Sequence, residues 1–247
     1  MRSIMFVASL LGKLFYWDLQ MKLRALWRYQ WARDYANRYI HHMAHSLFNL
    51  SRVYLGLRIV IERTPEINLP DHFVVVVNHQ SLIDIVAVQL ALPQHPVRFV
   101  AKKELGKWFP AVSMVLRLQR HALIDRRSNR DQTMRELDRL ARRSREGSCP
   151  VIFAEGTRSR SGQVLPFQAG AIRRILSINP LPVVALAVDG GYQVSHLLDL
   201  SARGQNVVFR TKVLQVFPAD ASKTGVTKIV KAAEDAIRNQ LDVWHRG

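Results

Sequence analysis

Residues 73–86 read FVVVVNHQSLIDIV, and this stretch decides the fold. Its first five residues include four consecutive valines, the composition of a strand that is buried on both faces of a sheet. Asn78 and His79 interrupt the apolar run, and an apolar pattern typical of a helix follows them. A buried strand that runs directly into a helix ends at the carboxyl edge of an α/β sheet, where such folds bind their ligands.

His79 and Asp84 form the candidate catalytic pair of this stretch. On one continuous helix they would point about 140° apart, so they can meet only if His79 lies on the connection and Asp84 in the first helical turn. Asp84 would then hold one tautomer of the imidazole and leave the other ring nitrogen free to act as a general base. A structural alternative stays open, because Ser81-x-x-Asp84 also matches a capping box and His79 would then be an ordinary loop residue.

Length and composition restrict the class of protein. The chain of 247 residues is long enough for one sizeable α/β domain with an appendage, and its hydrophobic content of 48% argues against wholesale disorder. The single cysteine, Cys149, excludes an intramolecular disulfide and a cysteine-rich zinc site. The net charge of +17 predicts a polyanionic partner, which could be an anionic membrane, a phosphorylated substrate or a nucleic acid.

Residues 1–64 combine cations with aromatic side chains. They contain ten Lys or Arg against three acidic residues, a net charge of +7, and eleven of the 21 aromatic residues. Proline is absent before Pro65, so we expect two helices or one broken helix. The uncharged run at 4–11 is too short to cross a bilayer, which takes about 20 apolar residues. The pattern favours amphipathic helices that anchor the chain in the membrane interface; the alternative is a helical hairpin packed only on its own chain.

Residues 65–247 alternate strand-like and helix-like segments, which predicts an α/β domain with a mainly parallel central sheet flanked by helices. A basic helix is expected at 131–145, with its arginines on a solvated face or in an anion-binding patch, and a final helix is expected at 222–241. The strand-like runs are 73–77, 97–100, 122–124, 151–154, 182–188, 207–209 and 212–216.

Two of these buried strands end in polar turns, NHQSLID and EGTRSRSG. Because parallel strands end at the same edge of a sheet, we expect His79 and Arg158 to face one crevice. Gly156 permits a tight turn, and Arg158 offers a planar fork of donors for a phosphate or a carboxylate.

Three further cations, Lys102, Lys103 and Arg126, follow strand-like runs and would make this crevice cationic. The sequence has no G-x-S-x-G elbow, and Cys149 lies at the start of a strand. The nucleophile is therefore expected to be a substrate hydroxyl that His79 activates. The histidines form no carboxylate–histidine cluster of recognisable spacing, so we expect no metal site.

Four blocks of the sequence resemble, in order, the four motifs of the glycerolipid acyltransferases, in particular the 1-acylglycerol-3-phosphate acyltransferase group. The resemblance covers roughly residues 73–191. Two departures stand out: Arg120-His121 precedes ALIDR where the family usually has a small residue such as glycine, and the glycine pair of the fourth block comes late. The blocks are NHQSLID, FVAKKEL with the following FP and ALIDR, FAEGTRSRSG and LPVVALAVDGG.

The resemblance implies transfer of a fatty acyl group from acyl-CoA or acyl carrier protein to the free hydroxyl of a lysophospholipid, without a cofactor. The sn-2 position of 1-acylglycerol-3-phosphate is the expected acceptor, and the expected location is monotopic, at the cytoplasmic face of the cell membrane. The alternative acceptors are another lysolipid and glycerol-3-phosphate. The alternative classes of protein are a non-catalytic basic protein of the membrane surface and a nucleic-acid-binding protein, although no nucleic-acid module is recognisable. By family role the catalytic residues would be His79 and Asp84, and the substrate-binding residues Lys102, Lys103, Arg126, Glu155, Gly156, Thr157 and Arg158, the last as phosphate binder.

Overall fold

The computed structural model describes residues 2–62, 64–125, 130–194 and 207–246. Short 3-10 turns lie at Lys103–Gly106 and Gly191–Val194. The helices and strands are, in chain order, α1 (Arg2–Trp27), α2 (Tyr29–Leu55), β1 (Arg58–Glu62), β2 (Val74–Val77), α3 (Ile83–Ala91), β3 (Val97–Lys102), α4 (Val112–Leu118), β4 (Ala122–Ile124), α5 (Arg130–Ser144), β5 (Cys149–Phe153), α6 (Gly170–Ile178), β6 (Val183–Asp189), β7 (Val208–Phe217) and α7 (Lys223–Arg246).

Seven strands form one sheet in the order β1-β7-β6-β2-β5-β3-β4. Strand β7 runs antiparallel to β6 and parallel to β1, and the other neighbouring strands are parallel to each other. The prediction of a mainly parallel sheet flanked by helices is therefore confirmed.

Strand β2 lies inside the sheet, which explains its unbroken run of valines. Val74 and Val76 face a core that α5, α6 and α7 complete, whereas Val75 and Val77 face a second core that α3 completes. Because successive strand residues point to opposite faces and both faces are covered, all four side chains are buried. Burial of a valine side chain stabilises a protein by about 1.5–3 kcal/mol, so this strand is a major contributor to the core.

The N-terminal region forms two helices that fold back on each other. The break falls at Arg28, whose backbone is extended, with a φ of −159°. The hydroxyl oxygens of Ser9 and Tyr54 lie 3.2 Å apart and join the start of α1 to the end of α2. Trp17 and Met21 of α1 are buried in a cluster with residues of α2 and α4, so the pair of helices packs on the body of the protein. None of the described helices is long and apolar enough to cross a membrane.

Two details of the sheet were not predicted. Strand β1, RIVIE, falls within residues 1–64, which the sequence assigned to helices; it is a half-exposed edge strand that pairs in parallel with β7. The two runs at 207–209 and 212–216 form the single strand β7. Within its polar interruption, Arg210 donates to the carbonyl oxygen of Trp244 at 2.9 Å, whereas Thr211 is buried and its hydroxyl has no hydrogen-bond partner among the described residues.

The turn between α4 and β4 explains one departure from the family pattern. Arg120 has a φ of +57°, in the left-handed region that glycine occupies without strain. The turn leads His121 into the interior, where its Nδ1 accepts a hydrogen bond from the backbone N–H of Phe99 at 2.8 Å. Burial lowers the pKa of His121 to about 3, so its ring is neutral and serves as a structural link between β3 and β4.

Candidate active site

His79 and Asp84 meet at the carboxyl end of β2. His79 lies on the connection between β2 and α3, and Asp84 is the second residue of α3, as the spacing required. Nδ1 of His79 is 2.7 Å from Oδ2 of Asp84. The Asp84 side chain is fully buried, whereas 17% of the His79 side chain is exposed. The structure therefore brings the predicted pair together with the imidazole at the surface of the sheet edge.

Asp84 also organises the turn around the histidine. Its Oδ2 accepts hydrogen bonds from the backbone N–H groups of Gln80 at 2.6 Å and Ser81 at 2.9 Å. The bond from Ser81 is the one in which the last residue of a capping box bonds back to the first, so Asp84 makes both this contact and the contact with His79 that the sequence predicted. Because a carboxylate only accepts, the neutral form of the His79 imidazole carries its proton on Nδ1 and has its lone pair on Nε2. Nε2 has no hydrogen bond to another residue in the described part of the chain.

The polar turn after β5 holds the backbone of His79 from the neighbouring strand. The N–H of His79 donates to Oε1 of Glu155 at 2.9 Å, and the N–H of Ser159 donates to the carbonyl oxygen of His79 at 2.7 Å. The second carboxyl oxygen of Glu155 accepts from the N–H of Leu165 at 3.3 Å. Glu155, a predicted substrate-binding residue, thus accepts from two backbone amides and connects the turn that carries His79 to the segment that follows β5.

The other predicted residues of this turn lie beside that connection. Gly156 has a φ of +72°, the left-handed conformation that the tight turn requires. Thr157 is exposed and Arg158 is half-buried. Since the N–H of Ser159 is bonded to His79, the turn that carries Arg158 and the turn that carries His79 are in direct contact. That the side chains of His79 and Arg158 face one crevice stays a prediction.

The cations of the second block lie farther away. Lys102 is the exposed last residue of β3, which is separated from β2 by β5. Nζ of Lys103 donates to Oε1 of Gln132 on α5 at 3.4 Å. Arg126 lies outside the described residues. Of the three cations, the structure therefore places Lys102 in solvent at the same edge as His79 and directs Lys103 towards α5.

Asn78 and Gln80 were not assigned a role from the sequence, and both connect the turn that carries His79 to β6 and the residues that follow it. The side-chain amide of Asn78 donates to the carbonyl oxygen of Val188 and accepts from its N–H. Gln80 donates to Oδ1 of Asp189 at 3.1 Å and accepts from the N–H of Gly191 at 2.9 Å. A polar residue directly after a buried strand must find such partners, and this was the signal available in the sequence.

The imidazole is positioned by an aromatic ring as well as by hydrogen bonds. The ring of Phe153, the last residue of β5, stacks on His79 at a centroid distance of 4.1 Å and an interplanar angle of 24°. Phe99 of β3 stacks behind Phe153 at 6.0 Å. One face of His79 is thus covered, which restricts the ring to the orientation that Asp84 sets.

The late glycine pair of the fourth block packs closely against its neighbours: Gly190 lies against β7, and Gly191 lies against the turn that follows β2. Gly190 has a φ of +89°, and a Cβ atom there would lie 2.2 Å from the carbonyl oxygen of Val208. A Cβ atom on Gly191 would lie 2.8 Å from Oγ of Ser81 and 3.0 Å from Oδ1 of Asp84. Both positions therefore require glycine, and the second one adjoins the Asp84 carboxylate.

Burial raises the pKa of Glu155 to about 7, although the hydrogen bonds from His79 and Leu165 oppose the shift. Its folded-state pKa thus exceeds the unfolded value of about 4.3. The folded protein holds this proton more tightly than the unfolded chain, so its contribution to stability is present at low pH and is lost as the pH rises towards 7.

Glu155→Gln should gain stability relative to the wild type as the pH rises from about 4.5 to 7, because ionisation of Glu155 opposes folding in that window and glutamine cannot ionise. Buried His121 acts in the opposite direction in both proteins, since its lowered pKa makes stability rise with pH, so the quantity to compare is the difference between variant and wild type at each pH. Urea unfolding at a series of pH values measures this difference, with Glu66→Gln at an exposed position as the control. A difference that stays constant with pH in Glu155→Gln, as expected for the control, would contradict the assignment.

Residues 59–189 match a family model described as Acyltransferase. The chain is 32% identical over 175 residues to a 1-acyl-sn-glycerol-3-phosphate acyltransferase of Cocos nucifera, covering 70% of this chain and 53% of that protein. It is 40% identical over 91 residues to a lyso-ornithine lipid O-acyltransferase of Brucella abortus, covering 37% of this chain and 32% of that protein. The matches thus span about half, or less, of these curated relatives.

A solved structure shows the same fold. The crystal structure of the 1-acyl-sn-glycerophosphate acyltransferase of Thermotoga maritima superposes with a TM-score of 0.68 at 24% sequence identity, covering 99% of this chain and 98% of that chain. The superposition therefore includes the two N-terminal helices as well as the sheet. The family match contains both polar turns, from His79 to Arg158.

Proposed function

This chain belongs to the acyltransferase family, and on that basis we propose that it transfers a fatty acyl group from an acyl thioester to the free hydroxyl of a lysophospholipid. The observation that carries the proposal is the contact of 2.7 Å between His79 and the buried Asp84, at the edge where the polar turns meet. The expected acceptor is 1-acylglycerol-3-phosphate, which would give phosphatidic acid. The similarity to the Cocos nucifera relative supports this choice.

His79 would act as the general base. Its Nε2 takes the proton of the acceptor hydroxyl as the hydroxyl oxygen attacks the carbonyl carbon of the thioester. The tetrahedral adduct then expels the thiolate, which takes that proton from the imidazolium and leaves as the free thiol. Asp84 holds the Nδ1–H tautomer and stabilises the imidazolium that forms between these steps. The acyl group passes directly to the acceptor, so the protein supplies no nucleophile.

The acceptor has a second candidate, because the Brucella abortus relative is a lyso-ornithine lipid acyltransferase. Purified protein should be incubated with labelled acyl-CoA or acyl carrier protein and a panel of 1-acylglycerol-3-phosphate, lyso-ornithine lipid and glycerol-3-phosphate. We expect the acylated product from 1-acylglycerol-3-phosphate at the highest kcat/KM. A higher value for lyso-ornithine lipid would reassign the acceptor, and no product with any acceptor would refute the proposed activity.

Arg158→Ala should raise the KM for a phosphate-bearing acceptor by roughly tenfold or more, because an arginine–phosphate contact of two charge-assisted hydrogen bonds is lost. Arg158→Lys should restore only part of the affinity, since an ammonium lacks the planar fork. Steady-state kinetics measures both variants. Arg160→Ala, at an exposed position of the same turn, is the matched control. An unchanged KM in Arg158→Ala would remove this residue from the acceptor site.

The N-terminal helices would hold the protein at the membrane that contains its acceptor. One side of α1 exposes a row of apolar side chains to solvent, although the opposite side is buried against α2. Apolar residues on one side of a helix, with a net charge of +17 for the whole chain, suit a monotopic position on an anionic bilayer. The donors are cytoplasmic molecules, so the cytoplasmic face is the proposed location. The exposed row includes Ile4, Leu11, Phe15, Leu19, Leu23 and Leu26.

A further inference from the structure

The loop between the 3-10 turn Lys103–Gly106 and α4 exposes two large aromatic rings. Trp108 is 84% exposed, the highest value for any large hydrophobic residue in the described ranges, and Phe109 beside it is 50% exposed. Exposing such rings to water is unfavourable, so a pair at the tip of one loop points to a partner surface. None of the catalytic contacts described above involves either ring.

The backbone holds these rings outward in a fixed turn. Ala111 has a φ of +57° and a ψ of −48°, and the N–H of Val112 donates to the carbonyl oxygen of Pro110 at 2.6 Å, which together define a γ-turn. A non-glycine residue in this conformation is strained, and such strain persists only where its surroundings impose it. Oγ of Ser113 adds support, because it accepts from the N–H of Phe109 at 2.9 Å.

The surroundings that impose the turn belong to α1. The N–H of Ala111 donates to Oδ1 of Asp18 at 3.0 Å, and Lys22 pairs with the other oxygen of Asp18 at 2.6 Å. Asp18 follows Phe15 by three residues and Leu11 by seven, so all three lie along one side of the helix. Phe15 and Leu11 belong to the exposed apolar row of α1. The loop is therefore attached beside that row.

The loop also lies near the sheet edge that carries the catalytic pair. Strand β3 ends at Lys102, and the loop follows it after a single 3-10 turn. Because β3 runs parallel to β5, and β5 to β2, the end of β3 and His79 lie at the same edge. Lys102 and Lys107 are exposed on this part of the chain and would face an anionic surface favourably.

We propose that Trp108 and Phe109 insert into an anionic phospholipid bilayer as a second membrane contact, separate in sequence from α1. Two separate membrane contacts define the orientation of the protein on the bilayer, whereas α1 alone would allow the protein to rotate about the axis of that helix. The plane through the apolar row of α1 and the loop sets the edge with His79 against the lipid surface. The inference rests on the proposed function in one respect: the second membrane contact would bring an acceptor embedded in the bilayer to His79 and Asp84.

Site-directed labelling tests the insertion directly. The only cysteine, Cys149, is fully buried, so a cysteine introduced at an exposed position can be labelled selectively. Trp108→Cys carries an environment-sensitive fluorophore, and Val243→Cys, at a 58% exposed apolar position on α7, is the matched control. The probe is a vesicle of equimolar phosphatidylcholine and phosphatidylglycerol, with a quencher on the acyl chains. We expect a blue shift and quenching at position 108 and neither at 243.

Several results would overturn the inference. The label at position 108 could stay unquenched although the protein is bound to vesicles. The labels at positions 108 and 243 could be quenched equally, or the intact chain could fail to bind vesicles. A blue shift without vesicles that grows with protein concentration would instead assign the loop to self-association. Acyl transfer by the unlabelled protein is a separate measurement, so the proposed activity and the membrane contact can fail independently.

A binding measurement on the full chain gives the size of the effect. Trp108→Ser with Phe109→Ser should lower the vesicle partition constant by about tenfold or more, because two partly inserted rings are removed. Val243→Ser should leave the partition constant within about twofold of wild type, since substitutions away from an interface have small effects. Melting temperatures check that both variants fold. An equal loss of binding in the two variants would contradict insertion of the loop.

Discussion

His79→Ala should lower the rate of acyl transfer by about two to four orders of magnitude, because a positioned general base contributes about that factor, and the variant should still fold, with a modest loss of stability from the lost contacts with Asp84 and Phe153. The imidazole is partly exposed and its hydrogen bond to Asp84 lies at the edge of the sheet, so its removal creates no deep cavity. Turnover of 1-acylglycerol-3-phosphate with acyl-CoA measures the rate. His72→Ala, at an exposed histidine before β2, is the control and should keep wild-type turnover. Retained turnover in His79→Ala would place the base elsewhere.

The two roles of Asp84 can be separated with a second pair of variants. Asp84→Asn presents an amide to Nδ1 of His79, which disfavours the required tautomer, so the rate should fall by orders of magnitude. Ser81→Ala removes the hydroxyl that accepts from the N–H of Ile83 at 3.1 Å and donates to Oδ1 of Asp84 at 3.3 Å, which should lower stability by about 1 kcal/mol and lower the rate far less than Asp84→Asn does, because the bond between Asp84 and His79 uses the other carboxylate oxygen. If both variants lost stability and kept their rates, Asp84 would be a capping residue only.

The central strand and the turn that carries His79 were predictable because their signals are local. Four consecutive valines predict a strand buried on both faces wherever it lies in a sheet, and β2 is such a strand. The pairing of His79 with Asp84 follows from the change of strand to helix within five residues. Contact between the turns after β2 and β5 follows from the rule that parallel strands end at one edge.

What the sequence could not predict depends on contacts between distant residues. Strand β1 is short and half-exposed, so it lacks the apolar run that identifies β2, and its partner β7 lies about 150 residues further along the chain. The direction of Lys103 is set by Gln132 on α5. The left-handed turn at Arg120 and the γ-turn at Ala111 break the usual preferences of their residue types, and only the surrounding structure imposes them.

Gly191 is the clearest case of such a distant contact, and its substitution should have a large effect on the rate. A methyl group there would lie 2.8 Å from Oγ of Ser81, 3.0 Å from Oδ1 of Asp84 and 2.8 Å from Cζ of Phe209. The Phe209 ring is fully buried and cannot move aside easily. Relief of the clash therefore displaces the Asp84 carboxylate, whose contact with His79 is only 2.7 Å.

Gly191→Ala should accordingly lower kcat by about a hundredfold, since a shift of about 1 Å at a catalytic group can have that effect, and overpacking should also cost about 1–3 kcal/mol of stability. Gly170→Ala is the matched control, because a Cβ atom at that position meets nothing within 4 Å at the start of α6. It should keep wild-type turnover and match or exceed the wild-type melting temperature, since alanine is favoured over glycine in a helix. A loss of stability in Gly191→Ala with unchanged kcat would show that the methyl group is accommodated on the Phe209 side. The Asp84 carboxylate would then keep its place beside His79, and Gly191 would be needed for packing alone.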